Sequence, residues 1–187
     1  NAYFSTLKGN DESFKRRDAL RGRTVEIESS KDFRIGDIDF HPFSLPHDAV
    51  DNFGFVAERA GVKVATLWDF GHVTTLIKEK LRGCDGIVIE SNHSHDMLKA
   101  CSVYSWDLKQ RILSRMGHLS NEELAEWLTN DFDGAARHIV LAHLSLQTNE
   151  PHLAKLTAES ALAMRETRPE THISMTHHKI PTDWIEF

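Results

Sequence analysis

Four short strings constrain this chain most: Ser44-Leu45-Pro46-His47-Asp48-Ala49, Trp68-Asp69-Phe70-Gly71-His72, Gly117-His118-Leu119-Ser120-Asn121 and Leu141-Ala142-His143-Leu144-Ser145. Each sets a histidine or a carboxylate where a strand-like run gives way to a loop or a helix. Metal ligands and proton-transfer groups collect at such places, because the strand holds the backbone rigid while the loop leaves the side chain reachable.

The runs leading into these strings read as strands. Thr24 to Glu28 alternates apolar and polar residues, the period of a half-buried outer strand. Phe33 to Ile35 and Ile38 to Leu45 form a hairpin turned at Gly36-Asp37, and Phe53 to Glu58 pairs with Val62 to Trp68 around Ala60-Gly61. From there the pattern alternates. Val73 to Leu81 has helical spacing and stops at Arg82-Gly83. Gly86 to Glu90 is a short apolar run of the kind buried in the middle of a sheet. Asp96 to Cys101 and Trp106 to Met116 read as helices. Ser120 with Glu123 three residues on is a capping box opening a further helix to about Leu128. His138 to Ala142 is a second buried strand, Pro151 opens a helix to about Arg165, and His172 to Met175 is a last strand. Strands first and strand–helix alternation afterwards predict one layered α/β domain over residues 1–187.

Composition narrows the function. A chain of 187 residues with 40% apolar composition has room for one core. A formal charge of −6 argues against a generally basic nucleic-acid binder, although Lys15, Arg16, Arg17, Arg21 and Arg23 could form a local patch. Cys84 and Cys101 are the only cysteines, too few and too far apart for a zinc ribbon, and they fit a reducing compartment with both thiols structural. With no membrane-length apolar run, the expected location is the cytoplasm. Asn1-Ala2 reads as the scar of a cleaved affinity tag, so the expectation is that the natural protein is longer.

Several residues carry a choice that spacing leaves open. Asp69, at a strand end, can bridge two divalent ions, one oxygen on each, or it can cap the helix near Val73. His143 ends the most apolar strand; a buried ring there coordinates a metal or hydrogen-bonds a backbone carbonyl, since leaving it unpaired costs about 1–3 kcal/mol. His47 poses the same alternatives. Glu90 emerges from an apolar run and is either a carboxylate of raised pKa suited to proton transfer or a solvated residue at a loop start. His118 precedes a helix N-terminus, where an anion such as phosphate is favoured and an imidazole could protonate a leaving oxygen; otherwise it is an ordinary loop histidine.

Taken in order, His47, Asp69, Glu90-Ser91-Asn92-His93, Gly117-His118-Leu119-Ser120-Asn121 and His143-Leu144-Ser145, with Lys109-Gln110-Arg111-Ile112-Leu113 between, resemble the metallo-β-lactamase superfamily. The likeness is in particular to its YycJ/WalJ-type hydrolases, with ribonuclease Z and ribonuclease J more distant, and it runs from about Tyr3 to about Arg165. It implies part of an αββα sandwich, mixed sheets flanked by helices with the N-terminal strands missing. It implies metal-ligand roles for His47, Asp69 and His143, a substrate-side role for His118, and Glu90 as the carboxylate that works with it. It further implies two divalent ions, zinc or manganese, and phosphodiester hydrolysis on nucleic acid, with a β-lactam or thioester as the other substrate class.

One departure is large. No His-x-His-x-Asp-His string occurs anywhere in the chain; His93-Ser94-His95-Asp96 lies after the bridging aspartate and lacks the final histidine. His47, Asp69 and His143 alone suffice for one weak metal site and not for a catalytic pair. The expectation is therefore a fragment inactive by itself, which self-associates as an intertwined homo-oligomer through an exposed sheet edge. The other reading is a degenerate domain that binds a partner and hydrolyses nothing.

Overall fold

The computed structural model describes residues 26–186. Seven strands form one sheet in chain order: β1 (Phe33–Ile35), β2 (Ile38–Ser44), β3 (Phe53–Arg59), β4 (Val62–Leu67), β5 (Gly86–Glu90), β6 (His138–Ala142) and β7 (His172–Met175). The sheet is mixed. From β1 to β4 neighbours are antiparallel, and from β4 to β7 they are parallel. The change of direction follows from the connections. Ala60 and Gly61 both take positive φ, 51° and 84°, which closes the β3–β4 hairpin in two residues with the twist that antiparallel strands need. A parallel neighbour cannot be reached by a tight turn, so β4 returns to β5 through helix α1 (Thr75–Leu81) and β6 to β7 through α5 (Pro151–Ala163). Between β5 and β6 run α2 (His95–Ala100), α3 (Trp106–Ile112) and α4 (Asn121–Asn130).

Strand register builds the core. Ala65, Ile87, Ile139 and Ile173 lie side by side across β4 to β7, and Leu67, Ile89, Leu141 and Met175 form the next row on the same face. Ile77 and Leu81 of α1, Leu124, Trp127 and Leu128 of α4, and Ala154, Ala158 and Leu162 of α5 share one buried cluster with those rows. Each fully buried Leu or Ile contributes roughly 1.5–3 kcal/mol over an exposed one, which fixes the sheet's register and hence the positions of its strand ends.

The expected α/β class, a sheet flanked by helices, is the observed one, and most elements fall where periodicity places them. Three differ. Glu26 to Glu28 is irregular rather than strand, while Thr24 and Val25, like the basic cluster from Lys15 to Arg23, lie outside the described residues. The helix expected over Trp106 to Met116 ends at Ile112, because the Ile112 carbonyl accepts the His118 N–H (3.0 Å) and the Ser114 carbonyl accepts the Gly117 N–H (2.8 Å), turning the chain back on itself. The helix after Gly71 begins at Thr75 with Thr74 as its cap, the Thr74 hydroxyl accepting from the Ile77 N–H at 3.2 Å. Asp69 is therefore not a helix cap. The Ser120 capping box forms as read, with Oγ accepting the Glu123 N–H at 3.1 Å. Cys84 and Cys101 are both free thiols. Among the described residues no helix is long and apolar enough to cross a membrane.

Candidate active site

The parallel strands β4, β5 and β6 end together, and the residues at their carboxyl ends are Asp69, Glu90 and His143. Crevices outside the carboxyl ends of such strands are where open α/β sheets bind ligands. His118 joins them from the α3–α4 loop. That loop is stitched to the end of β5: the Asn92 N–H donates to the Leu119 carbonyl (2.8 Å) and the Asn121 N–H to the His93 carbonyl (2.9 Å). Below this seam Ser91, Asn121 and Asn149 form a buried hydrogen-bonded knot, with Ser91 Oγ donating to Asn121 Oδ1 at 2.7 Å and Asn149 Nδ2 to the Ser91 carbonyl at 2.8 Å. A satisfied polar network of this kind holds one geometry.

Asp69, Glu90, His118 and His143 each offer one ligand-type atom, and those atoms all lie within 4.8 Å of one another. Glu90 is the hub and is fully buried. Its Oε2 accepts the Phe70 N–H at 2.9 Å, and its Oε1 lies 2.8 Å from Nδ1 of both His118 and His143. Asp69 Oδ1 lies 3.1 Å from Nδ1 of His143 and 3.7 Å from Nδ1 of His118. His47 stands beside this set rather than in it. Its ring centroid is 5.2 Å from that of His118, its Nδ1 donates to the Gly117 carbonyl at 3.0 Å, and its Nε2 is 3.4 Å from Asp48 Oδ1.

Burial alone would push the Glu90 carboxyl up, but the hydrogen bonds from His118 and His143 outweigh it and hold Glu90 below the ordinary carboxylate range. The expectation of a raised pKa is thus overturned, because the two imidazole hydrogen bonds favour the charged carboxylate more than burial disfavours it. In return Glu90 raises the pKa of His143, chiefly through that hydrogen bond. Glu90 is accordingly a charged anchor for two imidazoles at neutral pH rather than a proton donor.

Sequence reasoning passed over three contributors. Asn52 donates its side-chain amide to the Asp69 carbonyl, and Asn92 donates to the His143 carbonyl at 2.8 Å. His93 is fully buried between the β5 end and α2, and neither ring nitrogen has a hydrogen-bond partner among the described residues. Nothing local marks these roles, which arise from contacts across the fold; only the Glu-Ser-Asn-His string hinted at Asn92 and His93.

A model of the Beta-lactamase superfamily domain matches residues 5–144, well over half of the chain. The chain belongs to the metallo-β-lactamase superfamily. Within it, the chain is 35% identical over 128 residues to the exodeoxyribonuclease YycJ of Bacillus anthracis, covering 68% of this chain and 48% of that protein. It is 36% identical over 149 residues to the exodeoxyribonuclease WalJ of Streptococcus pneumoniae serotype 2, covering 80% and 54%. The chain thus spans about half the length of the curated relatives it matches. Two solved structures share the fold: the metallo-beta-lactamase fold protein YhfI from Bacillus subtilis (TM-score 0.59, 12% identity, 85% of this chain and 58% of that one) and Zn(2+)-bound PqqB from Methylobacterium extorquens (TM-score 0.58, 18% identity, 98% and 59%).

Metallo-β-lactamase folds usually carry divalent metals, and the donor set here suits one. Two carboxylates and two imidazoles within mutual reach are hard and borderline ligands of the kind zinc, manganese and iron accept. Two ions side by side need more donors than these four residues provide.

Proposed function

We propose that this chain carries the C-terminal half of the active site of a metal-dependent phosphodiesterase acting on nucleic acid, and that Asp69 and His143 hold a divalent ion, zinc or manganese, while Glu90 and His118 serve the reaction. The observation that carries this reading is the Glu90–His118 pair standing beside Asp69 and His143 at one strand-end crevice. His47, whose ring centroid lies 5.2 Å from that of His118, is the proposed further ligand. The names of the two relatives, both exodeoxyribonucleases, support DNA as the polymer.

A divalent ion bound there supplies Lewis acidity to a phosphoryl oxygen and acidifies a water molecule. The protein does the rest. Glu90 fixes the His118 ring by accepting its Nδ1–H, so Nε2 is the atom that can deliver a proton to the departing oxygen. Asp69 and His143 sit on rigid strand ends, where little reorganisation is required. A full two-ion centre requires further ligands of the His-x-His-x-Asp-His kind, and we propose that they lie outside these 187 residues. The chain alone is then a poor catalyst, and its sheet edges at β1 and β7 favour self-association. Sedimentation at high protein concentration showing only monomer would dispose of that last point.

The test is release of nucleotides from DNA by the chain preceded by the upstream sequence of its gene, with manganese and zinc supplied separately. Metal-dependent release that falls at least ~100-fold in His118→Ala supports the reading. Absence of hydrolysis with either metal refutes it and leaves a non-catalytic binding domain, the reading that the absence of the His-x-His-x-Asp-His string favours; hydrolysis indifferent to His118 refutes the role given to that histidine.

A further inference from the structure

The segment that follows β7 returns to the loop that carries His143. The Thr176 N–H donates to the Leu141 carbonyl at 2.8 Å, which extends the parallel β6–β7 pairing one step past Met175. Two residues further on, His178 Nε2 lies 3.1 Å from the Leu144 carbonyl. A carbonyl oxygen only accepts, so Nε2 carries the proton that makes this bond.

The Leu144 carbonyl and the Ser145 N–H belong to one peptide unit. The Ser145 N–H donates to the Asn92 carbonyl at 2.8 Å, and the Asn92 side-chain amide donates to the His143 carbonyl at 2.8 Å. In a trans peptide the C=O and the N–H point in opposite directions. Asn92 and His178 therefore grip the Leu144–Ser145 peptide from opposite sides, one from the end of β5 and the other from beyond β7. The loop has need of such a grip. His143, at its start, holds a left-handed backbone of φ 56°. His143, Leu144, Ser145, Leu146 and His178 border both a cavity of about 510 Å³ and another of about 280 Å³. Open space supplies no packing contacts, so the burial of the Leu144 side chain and these few hydrogen bonds carry the loop's geometry.

We propose that His178 is a positioning residue for His143: by clamping the peptide after Leu144 opposite Asn92, it keeps the His143 imidazole beside Asp69 and Glu90. It touches neither metal nor substrate. The inference rests on the reading of His143 as a metal ligand, and it makes the segment beyond the last strand part of that site. Without the clamp the peptide rotates, the left-handed turn relaxes, and Nδ1 of His143 leaves Glu90 Oε1 and Asp69 Oδ1, which lie 2.8 and 3.1 Å from it.

Two variants of the full chain test it. His178→Ala removes the donor, and His178→Gln keeps an amide N–H near the place of Nε2; His178 is exposed, so neither change disturbs the core. In metal-free protein, nitrogen NMR of the imidazoles follows exchange of the His143 ring proton that bonds Glu90, with the His41 ring, 2.9 Å from Asp32, as internal control. Calorimetry with manganese and with zinc reads metal affinity. His178→Ala is expected to speed exchange at His143 and to weaken metal affinity, each about 2- to 10-fold, the size of one net hydrogen bond, while His41 stays unchanged. His178→Gln should recover most of both. Unaltered exchange or unaltered affinity in His178→Ala, equal losses in the two variants, or an equal acceleration at His41 overturns the positioning role. If the unaltered protein binds neither metal, the ligand reading of His143 falls, and exchange at its ring alone decides whether His178 holds it in place.

Discussion

Asp69 and His143 meet at 3.1 Å, Oδ1 to Nδ1, from strand ends that both adopt left-handed backbone, φ 62° and 56°. Among the described residues only Ala60, in a hairpin turn, shares that conformation without being glycine. Strain of this kind costs of order 1–3 kcal/mol and persists where surroundings over-determine it. Here the over-determination is visible, since the carbonyl of each strained residue is held by an asparagine amide, Asn52 at Asp69 and Asn92 at His143.

This arrangement predicts an inverted order of stability between two variants. Glycine accepts a positive φ freely and alanine does not, so His143→Gly should be more stable than His143→Ala by about 1 kcal/mol, against the usual preference for alanine. Urea denaturation of the two proteins side by side reads the difference. Equal stability, or alanine ahead, would mean that the left-handed backbone at His143 carries no strain.

Removing the clamp should loosen the site without touching a ligand. Asn92→Ala is expected to weaken divalent-metal affinity about 10- to 100-fold, the range seen when groups that orient ligands are removed. Calorimetric metal titration measures it; an unaltered affinity would show that the Asn92 amide serves the fold alone.

Gly71 makes a sharper steric prediction. It follows Asp69-Phe70, and a Cβ there would collide with the Arg115 carbonyl group, backbone that cannot swing aside. Gly71→Ala must therefore separate the Asp69 loop from the loop that carries His118. A loss of at least about 1–3 kcal/mol in stability is expected, together with weaker metal binding. A thermal melt and metal titration at the unaltered protein's values would contradict the close approach.

His93 gives a pH dependence. Burial, with His95 adding, pushes its pKa down to about 4 from the ordinary 6.5, so the folded protein resists a proton that the unfolded chain accepts. Its contribution is fully present above pH 6.5 and drains away as pH falls toward 4. From about pH 6.5 to about pH 5 the protein should lose roughly 2 kcal/mol through this residue. His93→Leu should lack that part of the acid limb while keeping the part due to carboxylates such as Glu90. Chemical denaturation across the range decides it, and parallel pH profiles for the two proteins would show that His93 takes no part.

Much of this site was legible in the sequence because its residues end apolar strands. Asp69, Glu90 and His143 each follow a run whose register is set by burial, and parallel neighbours in register must place their ends together. His118 was legible through the Ser120 capping box, which fixes where α4 begins. The nature of the assembly was not legible. Glu90 emerges from an apolar strand, which suggests a raised pKa, yet two imidazoles from distant segments reach it and reverse the shift. The place of His47 beside the set, rather than in it, depends on a hydrogen bond to Gly117, seventy positions away. The shortened α3 escaped notice because Gly117 ends it through backbone contact with residues 111 and 112, which leaves no mark on hydrophobic period.

The central claim is that Asp69 and His143 hold a divalent ion beside the Glu90–His118 pair. Titrating manganese and zinc into the unaltered protein and into Asp69→Ala by calorimetry tests it most directly. The account predicts saturable binding that weakens at least tenfold in the variant. Binding of equal affinity and stoichiometry in both proteins would contradict it.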